Sequence, residues 1–124
     1  MATIVVIDDD QQVRRLIVEI LNAEGHRTLE ANDGDEGLNL CRAHHPALVI
    51  TEIVMPDKEG LETICELRRQ ADDVGIIAMS DFRMGRGPIY LDLAKAMGAD
   101  VAMSKPLESA ELVQAVEQLL RHAQ

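Results

Sequence analysis

Apolar and polar positions along the chain alternate with two different periods. Short runs rich in β-branched residues are typical of buried strands, and longer segments with apolar residues at helical spacing separate them. The predicted strands are Thr3–Ile7, Arg27–Ala31, Ala47–Thr51, Ile76–Met79 and Val101–Met103. The apolar positions that predict the helices are Val13, Leu16, Ile17, Ile20 and Leu21, then Leu38, Leu40 and Cys41, then Leu61, Ile64, Cys65 and Leu67, then Leu91, Ala94 and Met97, and finally Leu112, Val113, Val116, Leu119 and Leu120.

Polar and breaking residues at the helix ends support these boundaries. Asp10 is placed to cap the first helix, and Gly25 is placed to end it. Asp33 and Glu36 have the spacing of a capping pair at the second helix. Because each strand is followed by a helix, we expect an α/β fold with helices on both faces of a parallel sheet. The chain has no internal repeat or linker, so residues 1–124 are expected to form a single domain without an output domain.

Composition and charge narrow the classes of partner. The chain has 124 residues, of which 47% are apolar and 27% charged, as in an ordinary globular domain. It has one Tyr and one Phe, so a surface that stacks single-stranded nucleic acid is not expected. A formal net charge of −10 repels phosphate backbones and anionic lipid, and no apolar run is long enough to cross a membrane. We therefore expect neither nucleic acid nor membrane as a partner.

The N-terminus and the thiols both indicate a cytoplasmic protein. The short apolar run at the N-terminus has no basic region before it, so a signal peptide is not expected. Cys41 and Cys65 fall in predicted helices, and we expect buried thiols in a reducing compartment, with a disulfide or metal pair as the alternative. His26 and His122 are expected to be isolated and exposed.

Polar side chains follow four of the predicted strands at the points where they end. Asp8 and Asp9 follow the first strand, Glu52 follows the third, Ser80 follows the fourth and Lys105 follows the fifth. The carboxyl ends of parallel strands lie along one edge of the sheet, where open α/β folds place their ligands. We therefore expect these five side chains to form one site.

The residue types at this edge suit phosphoryl transfer. Three neighbouring carboxylates repel one another, and a hard cation such as Mg²⁺ relieves that repulsion. Lys105 can supply a fixed positive charge and Ser80 a hydroxyl, and the metal and lysine can neutralise phosphoryl oxygens during transfer to a carboxylate. Taken singly, Asp8–Asp10 is also explained as a helix cap, Ser80 with Asp81 as a turn and Lys105 as a solvated loop residue. Their joint order at the strand ends favours a site.

In this order the motifs resemble the receiver domain of bacterial two-component response regulators over the whole chain. The stretches that carry the resemblance are VVIDDD, EIVMPDKEG, IIAMS, GAD and SKP. The resemblance implies a flavodoxin-like, doubly wound sheet of five parallel strands in the order 2-1-3-4-5 with five helices. It also implies that Asp8, Asp9, the carboxylate at position 52 and the backbone carbonyl of Val54 bind Mg²⁺. Ser80 would be the switch hydroxyl and Lys105 the phosphate-binding lysine.

The chain departs from the family at the phosphoacceptor position, where Glu52 replaces the usual aspartate. The extra methylene moves the carboxylate by about a bond length, and a displacement of about 1 Å can slow in-line transfer ~100-fold. We therefore expect Glu52 to impair phosphorylation and to weaken Mg²⁺ binding. A glutamate also imitates an aspartyl phosphate in part, since it carries one negative charge where a phosphate carries nearly two. A natural residue and an engineered phosphomimetic substitution both remain open.

Two other departures concern how a signal would leave the domain. Ala102 stands where the family usually has an aromatic residue, so a rotating aromatic ring is not expected to act as a switch there. The segment Asp81–Pro88 is a few residues longer than in the family. It is interpreted either as a partner-binding or gating loop or as a tolerated surface insertion.

Three functional hypotheses follow. The first is a non-enzymatic receiver module whose partners are a sensor histidine kinase or phosphotransfer protein and a downstream protein, as a monomer or weak dimer. The second is a pseudo-receiver with the same partners but no phosphotransfer, and the third is a small flavodoxin-like enzyme or cofactor binder. The acidic run Asp8–Asp10 disfavours a flavin phosphate, and Ile53 and Val54 after Glu52 disfavour a dehalogenase-like phosphatase. We favour a receiver impaired at Glu52, with a phosphorylation-competent receiver as the alternative and with the last two helices and their strand as the contact face.

Overall fold

Five strands and five helices alternate in the part of the chain that the computed structural model describes, which is residues 1–53, 60–71, 73–81 and 87–122. The strands are β1 (Thr3–Ile7), β2 (Arg27–Ala31), β3 (Leu48–Glu52), β4 (Gly75–Asp81) and β5 (Val101–Lys105). The helices are α1 (Gln11–Ala23), α2 (Gly34–His44), α3 (Gly60–Gln70), α4 (Gly87–Met97) and α5 (Ser109–His122). Asp10 and Asp33 are the N-caps of α1 and α2, as the sequence predicted.

The strands form one parallel sheet in the order β2-β1-β3-β4-β5. β1 pairs with both β2 and β3, and β4 pairs with both β3 and β5. The register places Glu52 opposite Met79 and Asp81 opposite Lys105. The predicted fold class and strand order are therefore confirmed, and the carboxyl ends of β1, β3, β4 and β5 share one edge of the sheet.

Helices cover both faces of the sheet. One face packs against α2, α3 and α4, with Leu38, Ile64 and Ala94 among the buried contacts. The other face packs against α1 and α5, with Leu21 and Leu112 among the buried contacts. Every residue of β3 is buried, as its nearly continuous apolar run predicts for a central parallel strand.

Three strands extend further at their carboxyl ends than their apolar runs predicted. β3 extends to Glu52, β4 to Asp81 and β5 to Lys105, whereas the apolar runs end at residues 51, 79 and 103. The strand pairing continues through the Ser80–Ser104 and Asp81–Lys105 positions, since a backbone ladder does not depend on apolar side chains. The expected site residues on these strands thus lie within the sheet. Residues 82–86 of the segment interpreted as a loop are outside the described residues, and Gly87 already belongs to α4.

In α1 and in α4, one residue of the expected apolar face is exposed. Leu16 is 53% exposed and Met97 is 40% exposed, although both were assigned to apolar faces. The buried residues of α1 are Arg14, Ile17, Val18 and Leu21. Arg14 lies on this buried face because its guanidinium hydrogen bonds to groups at the edge of the sheet.

The side chain of His26 is largely enclosed and has partners, so the expectation of an exposed, isolated histidine was wrong. Its side chain is 7% exposed. The Nδ1 atom accepts a hydrogen bond from the Ala2 backbone N–H at 3.3 Å, and the Nε2 atom lies 3.2 Å from Glu117 Oε1. Glu117 belongs to α5, so the contact joins this helix to the residue just before β2.

Both cysteines are free. Cys41 is buried, and burial raises the pKa of its thiol to about 11, which keeps it protonated and poorly nucleophilic at neutral pH. Cys65 is only partly buried, and its Sγ atom lies 3.5 Å from Met97 Sδ. Within the described ranges, no helix has both the length and the apolar character that a membrane span requires.

Candidate functional site

Lys105 joins two of the expected site residues at the carboxyl edge of the sheet. Its Nζ atom lies 2.8 Å from Asp8 Oδ2 and also contacts Glu52 Oε2. The exposed fractions of these side chains are 11% for Lys105, 0% for Asp8 and 5% for Glu52. Because Asp8 follows β1 while Glu52 and Lys105 end β3 and β5, the parallel topology brings together charges from three distant parts of the chain.

The charges of this cluster depend on one another. Burial raises the pKa of the Asp8 carboxyl above its ordinary value, although hydrogen bonds from Lys105 and from the Asp10 backbone N–H oppose that rise. Burial lowers the pKa of Lys105, but hydrogen bonds to Asp8 and Glu52 outweigh this effect and raise the pKa above its ordinary value. Lys105 is therefore an ammonium at neutral pH, and it partly neutralises the two buried carboxylates.

The acidic loop, Asp8–Asp10, gives each of its three carboxylates a different environment. The Asp8 backbone N–H donates to the Ala31 carbonyl at 3.1 Å, and Asp8 Oδ1 accepts from the Asp10 backbone N–H at 2.9 Å. Asp9 is exposed. Asp10 Oδ1 accepts from the backbone N–H groups of Gln12 and Val13 at 3.0 and 3.3 Å. Asp10 is thus committed to capping α1, which leaves Asp8 and Asp9 to face the sheet edge and solvent.

Ser80 lies at the same edge, on the strand between Glu52 and Lys105. It is 2% exposed and pairs with Ser104 of β5. Met79, which precedes it, is the register partner of Glu52. The structure thus places Ser80 one residue beyond the level of Glu52 along the sheet. Val54, whose backbone carbonyl was expected to bind the metal, lies outside the described residues.

The residues of the cluster fit a hard cation in donor type. The carboxylate oxygens of Asp8, Asp9 and Glu52 are the kind of ligand that Mg²⁺ prefers, and two of these carboxylates are buried. Among the residues described, however, no group of three or more His, Cys, Asp and Glu side chains is arranged to hold a metal. The Lys105 ammonium contacts both buried carboxylates instead. The predicted ligand set, which includes the Val54 carbonyl, stays a prediction.

The structure adds Arg14 to this region, a residue that sequence reasoning missed. Its Nη1 atom donates to the Asp8 backbone carbonyl at 2.7 Å, and its side chain is 9% exposed. A detectable pattern was present, because Arg14 precedes Ile17, Val18 and Leu21 by three, four and seven positions. That spacing places an arginine on the buried face of a helix, where a charged side chain needs partners.

Comparison with known protein families agrees with this fold. The family model for the response regulator receiver domain matches residues 4–117. The chain belongs to this family. Receiver domains are signalling modules of two-component systems, work with histidine kinases or phosphotransfer proteins, and generally bind Mg²⁺ at the phosphorylation site.

Curated relatives include full-length regulators. The chain is 34% identical to the transcriptional regulatory protein CpxR of Klebsiella pneumoniae over 125 residues, which cover 99% of this chain and 51% of the relative. It is 33% identical to the response regulator MprA of Mycolicibacterium vanbaalenii, with 95% of this chain and 50% of the relative covered. The chain therefore spans about half the length of these curated relatives.

Solved receiver structures share the fold. The receiver domain of NtrX from Brucella abortus superposes with a TM-score of 0.88 at 28% identity, covering 95% of this chain and 98% of that one. A response regulator receiver domain protein from Clostridium thermocellum gives a TM-score of 0.91 at 25% identity, covering 98% and 96% of the two chains. The family resemblance and the fold inferred from the sequence motifs are thus confirmed.

Proposed function

We propose that this chain is a receiver module that acts through protein–protein contact, with Glu52 at the phosphoacceptor position and impaired phosphorylation as the result. The observation that carries the proposal is the contact of Lys105 with both Glu52 and Asp8. In a receiver that accepts phosphate, the lysine charge is used by the phosphoryl oxygens and the acidic pair by the metal. Here the lysine partly neutralises the two carboxylates, which supports a charge arrangement that forms without a phosphoryl group.

Each residue of the site has a proposed role. Asp8, Asp9, the Glu52 carboxylate and the Val54 carbonyl hold Mg²⁺, which neutralises phosphoryl oxygens when it is bound. Lys105 binds a phosphoryl oxygen, and the Ser80 hydroxyl donates a hydrogen bond to another. Glu52 offers a carboxylate oxygen that is displaced by about a bond length from where an aspartate would place it, and its reach toward Lys105 imitates part of an aspartyl phosphate.

The proposed partners follow from the same assignment. Upstream they are a sensor histidine kinase or a phosphotransfer protein, and downstream a protein that binds the face formed by α4, β5 and α5. Residues 1–124 themselves are proposed to bind neither nucleic acid nor membrane, because their formal net charge is −10. The proposed location is the cytoplasm, and the proposed state is a monomer or weak dimer. We propose that the signal is passed on by binding to a partner protein and not by catalysis.

Shortening one side chain tests the proposal. The unchanged chain and Glu52→Asp are incubated side by side with acetyl phosphate and Mg²⁺, and the mass of each intact protein is measured by mass spectrometry. We expect Glu52→Asp to gain one phosphoryl group at a rate at least ~100-fold above that of the unchanged chain, because the displacement of the nucleophile is removed. Glu52→Asn is the matched control, since it has the size of aspartate without a nucleophilic carboxylate, and it should stay unlabelled.

Each other outcome contradicts a defined part of the proposal. Labelling of the unchanged chain at a rate near that of Glu52→Asp would favour the alternative, a phosphorylation-competent receiver. No labelling of either chain would contradict the competence assigned to Asp8, Ser80 and Lys105. Labelling of Glu52→Asp that persists when Mg²⁺ is removed with a chelator would contradict the role given to the acidic pair.

A further inference from the structure

A buried arginine fastens the acidic loop to the end of the neighbouring strand. Arg14 Nη1 donates to the Asp8 backbone carbonyl oxygen at 2.7 Å and to Asn32 Oδ1 at 2.8 Å, and its Nε donates to Glu30 Oε1 at 2.9 Å. The residue is 8% exposed. Since the guanidinium is planar and its donors have a fixed geometry, these hydrogen bonds define its position. The Asp8 carbonyl is thereby tied to β2 and to the turn that follows it.

The Asp8 carbonyl belongs to the peptide group that leads into Asp9. Asp9 is exposed, so its backbone, rather than close packing, sets the position from which its side chain extends. On the far side of Asp9, the Asp10 backbone N–H donates to Asp8 Oδ1 at 2.9 Å. Asp9 therefore lies between two backbone anchors, and Arg14 supplies the first of them.

We propose that Arg14 is a positioning residue for cation binding at the acidic loop. This inference rests on the proposed function, in which Asp8 and Asp9 hold Mg²⁺. Arg14 reaches the loop through a backbone carbonyl oxygen, so it orients the two carboxylates from behind without itself occupying their oxygens. Loss of a partner that orients a metal ligand typically lowers metal affinity by about 10–100-fold.

Positioning and simple charge predict opposite effects of removing Arg14. By Coulomb's law, loss of a positive charge near an acidic site strengthens the binding of a cation, whereas loss of positioning weakens it. Arg15 offers a matched control because its Nε lies 3.6 Å from Glu30 Oε1 while its side chain is 63% exposed. Arg15→Met removes the same charge as Arg14→Met and leaves the hydrogen bond to the Asp8 carbonyl in place.

The experiment is a Mg²⁺ titration of the full chain followed by NMR at the backbone amides of the acidic loop. We expect the Kd for Mg²⁺ to rise about tenfold in Arg14→Met, to recover in part in Arg14→Lys, and to stay the same or fall in Arg15→Met. Asn32→Ala changes no charge and removes one acceptor of the guanidinium, so it should raise the Kd by about two- to fivefold, the effect of one ordinary hydrogen bond.

A second measurement needs no metal. The Asp10 backbone N–H donates to Asp8 Oδ1, so its hydrogen exchange reports whether the loop keeps its shape. Exchange at Asp10 should accelerate in Arg14→Met, relative to amides in the core strands, and should be unchanged in Arg15→Met. A role confined to global stability would accelerate exchange at Asp10 and in the core strands together.

Two results would overturn the inference. The first is Mg²⁺ affinity in Arg14→Met equal to or higher than in the unchanged chain, with Arg14→Lys and Asn32→Ala deciding in the same way if Arg14→Met does not fold. The second arises if neither the unchanged chain nor Glu52→Asp binds Mg²⁺. The cation-binding part of the proposed function would then be wrong, and the test of Arg14 would depend on hydrogen exchange alone. Unaltered exchange at the Asp10 amide in Arg14→Met would refute the positioning role.

Discussion

Lys105→Met is expected to lose about 3–5 kcal/mol of the free energy of unfolding at neutral pH. The substitution keeps an unbranched side chain but removes the ammonium that contacts both Asp8 and Glu52. Those two carboxylates are 0% and 5% exposed, so water cannot readily replace this cation. Urea unfolding followed by circular dichroism measures the loss.

The penalty in Lys105→Met should shrink as the pH falls. Burial raises the pKa of Asp8 above its ordinary value of 3.8, against hydrogen bonds from Lys105 and the Asp10 N–H that lower it. A carboxyl with a raised pKa binds its proton more tightly in the folded chain, so the stability it contributes is fully present below 3.8 and is lost as the pH rises through the folded pKa. Removing Lys105 raises the folded-state pKa of Asp8 further. The variant therefore loses stability with rising pH over a wider pH range than the unchanged chain does.

The lysine itself sets an alkaline limit for the unchanged chain. Burial lowers the pKa of Lys105, but the hydrogen bonds to Asp8 and Glu52 raise it overall above 10.5. The stability that Lys105 contributes is therefore fully present below pH 10.5 and is lost as the pH rises through the folded pKa. Lys105→Met should not show this loss of stability at alkaline pH.

Lys95→Met is the matched control for the lysine prediction. Lys95 is exposed on α4, and the same substitution there should change the free energy of unfolding by no more than about 0.5 kcal/mol. Millimolar Mg²⁺ should restore part of the stability of Lys105→Met, because a cation that binds the folded chain stabilises it by mass action. Equal losses in the two variants would contradict the view that Lys105 is held in a buried charge cluster.

The sequence predicted the parts of this molecule that depend on periodicity and topology. Alternating strands and helices fix the parallel sheet, and a parallel sheet brings Asp8, Glu52 and Lys105 to one edge whatever their separation in the chain. Each of these residues lies within two positions of the end of a predicted strand, which is why the strand predictions located them. Their mutual contact follows from the strand order and from the length of the lysine side chain.

What the sequence did not predict depends on side chains whose partners lie far along the chain. Arg14 was overlooked because an arginine among apolar residues is usually assigned to solvent, and its partner Glu30 lies on another element. His26 was misjudged for the same reason, since Glu117 of α5 reaches it. The ends of β4 and β5 were missed because backbone pairing continues through polar residues such as Ser80.

Gly60, the first residue of α3, packs closely against the backbone of Glu52 and Ile53. The Gly60 backbone N–H donates to the Ile53 carbonyl at 2.6 Å. A Cβ atom built on Gly60 would fall on the Glu52 carbonyl oxygen and would lie 2.7 Å from Ile53 Cα. The obstacles are backbone atoms of a buried strand and the residue after it, so rotating a side chain cannot relieve the overlap. The start of α3 is thus seated against the end of β3 through a residue without a side chain.

Gly60→Ala is expected to lose about 3 kcal/mol of the free energy of unfolding, the upper part of the range for overpacking a rigid site. Gly37→Ala is the matched control, because Gly37 is also buried in the first turns of a helix but its added Cβ would meet the side chain of Ile7. An isoleucine side chain can shift, and alanine favours the helix by up to about 1 kcal/mol over glycine, so the control should lose clearly less.

Urea unfolding of both glycine variants decides the comparison, and the ion pair at the neighbouring strand end supplies a second test. If Gly60→Ala displaces the end of β3, Glu52 moves relative to Lys105 and the extra cost of Lys105→Met should be smaller in the Gly60→Ala background than in the unchanged chain. A Gly60→Ala variant as stable as Gly37→Ala would contradict the close seating of α3. Fully additive losses for Gly60→Ala and Lys105→Met would show that the seating of α3 and the charge cluster are independent.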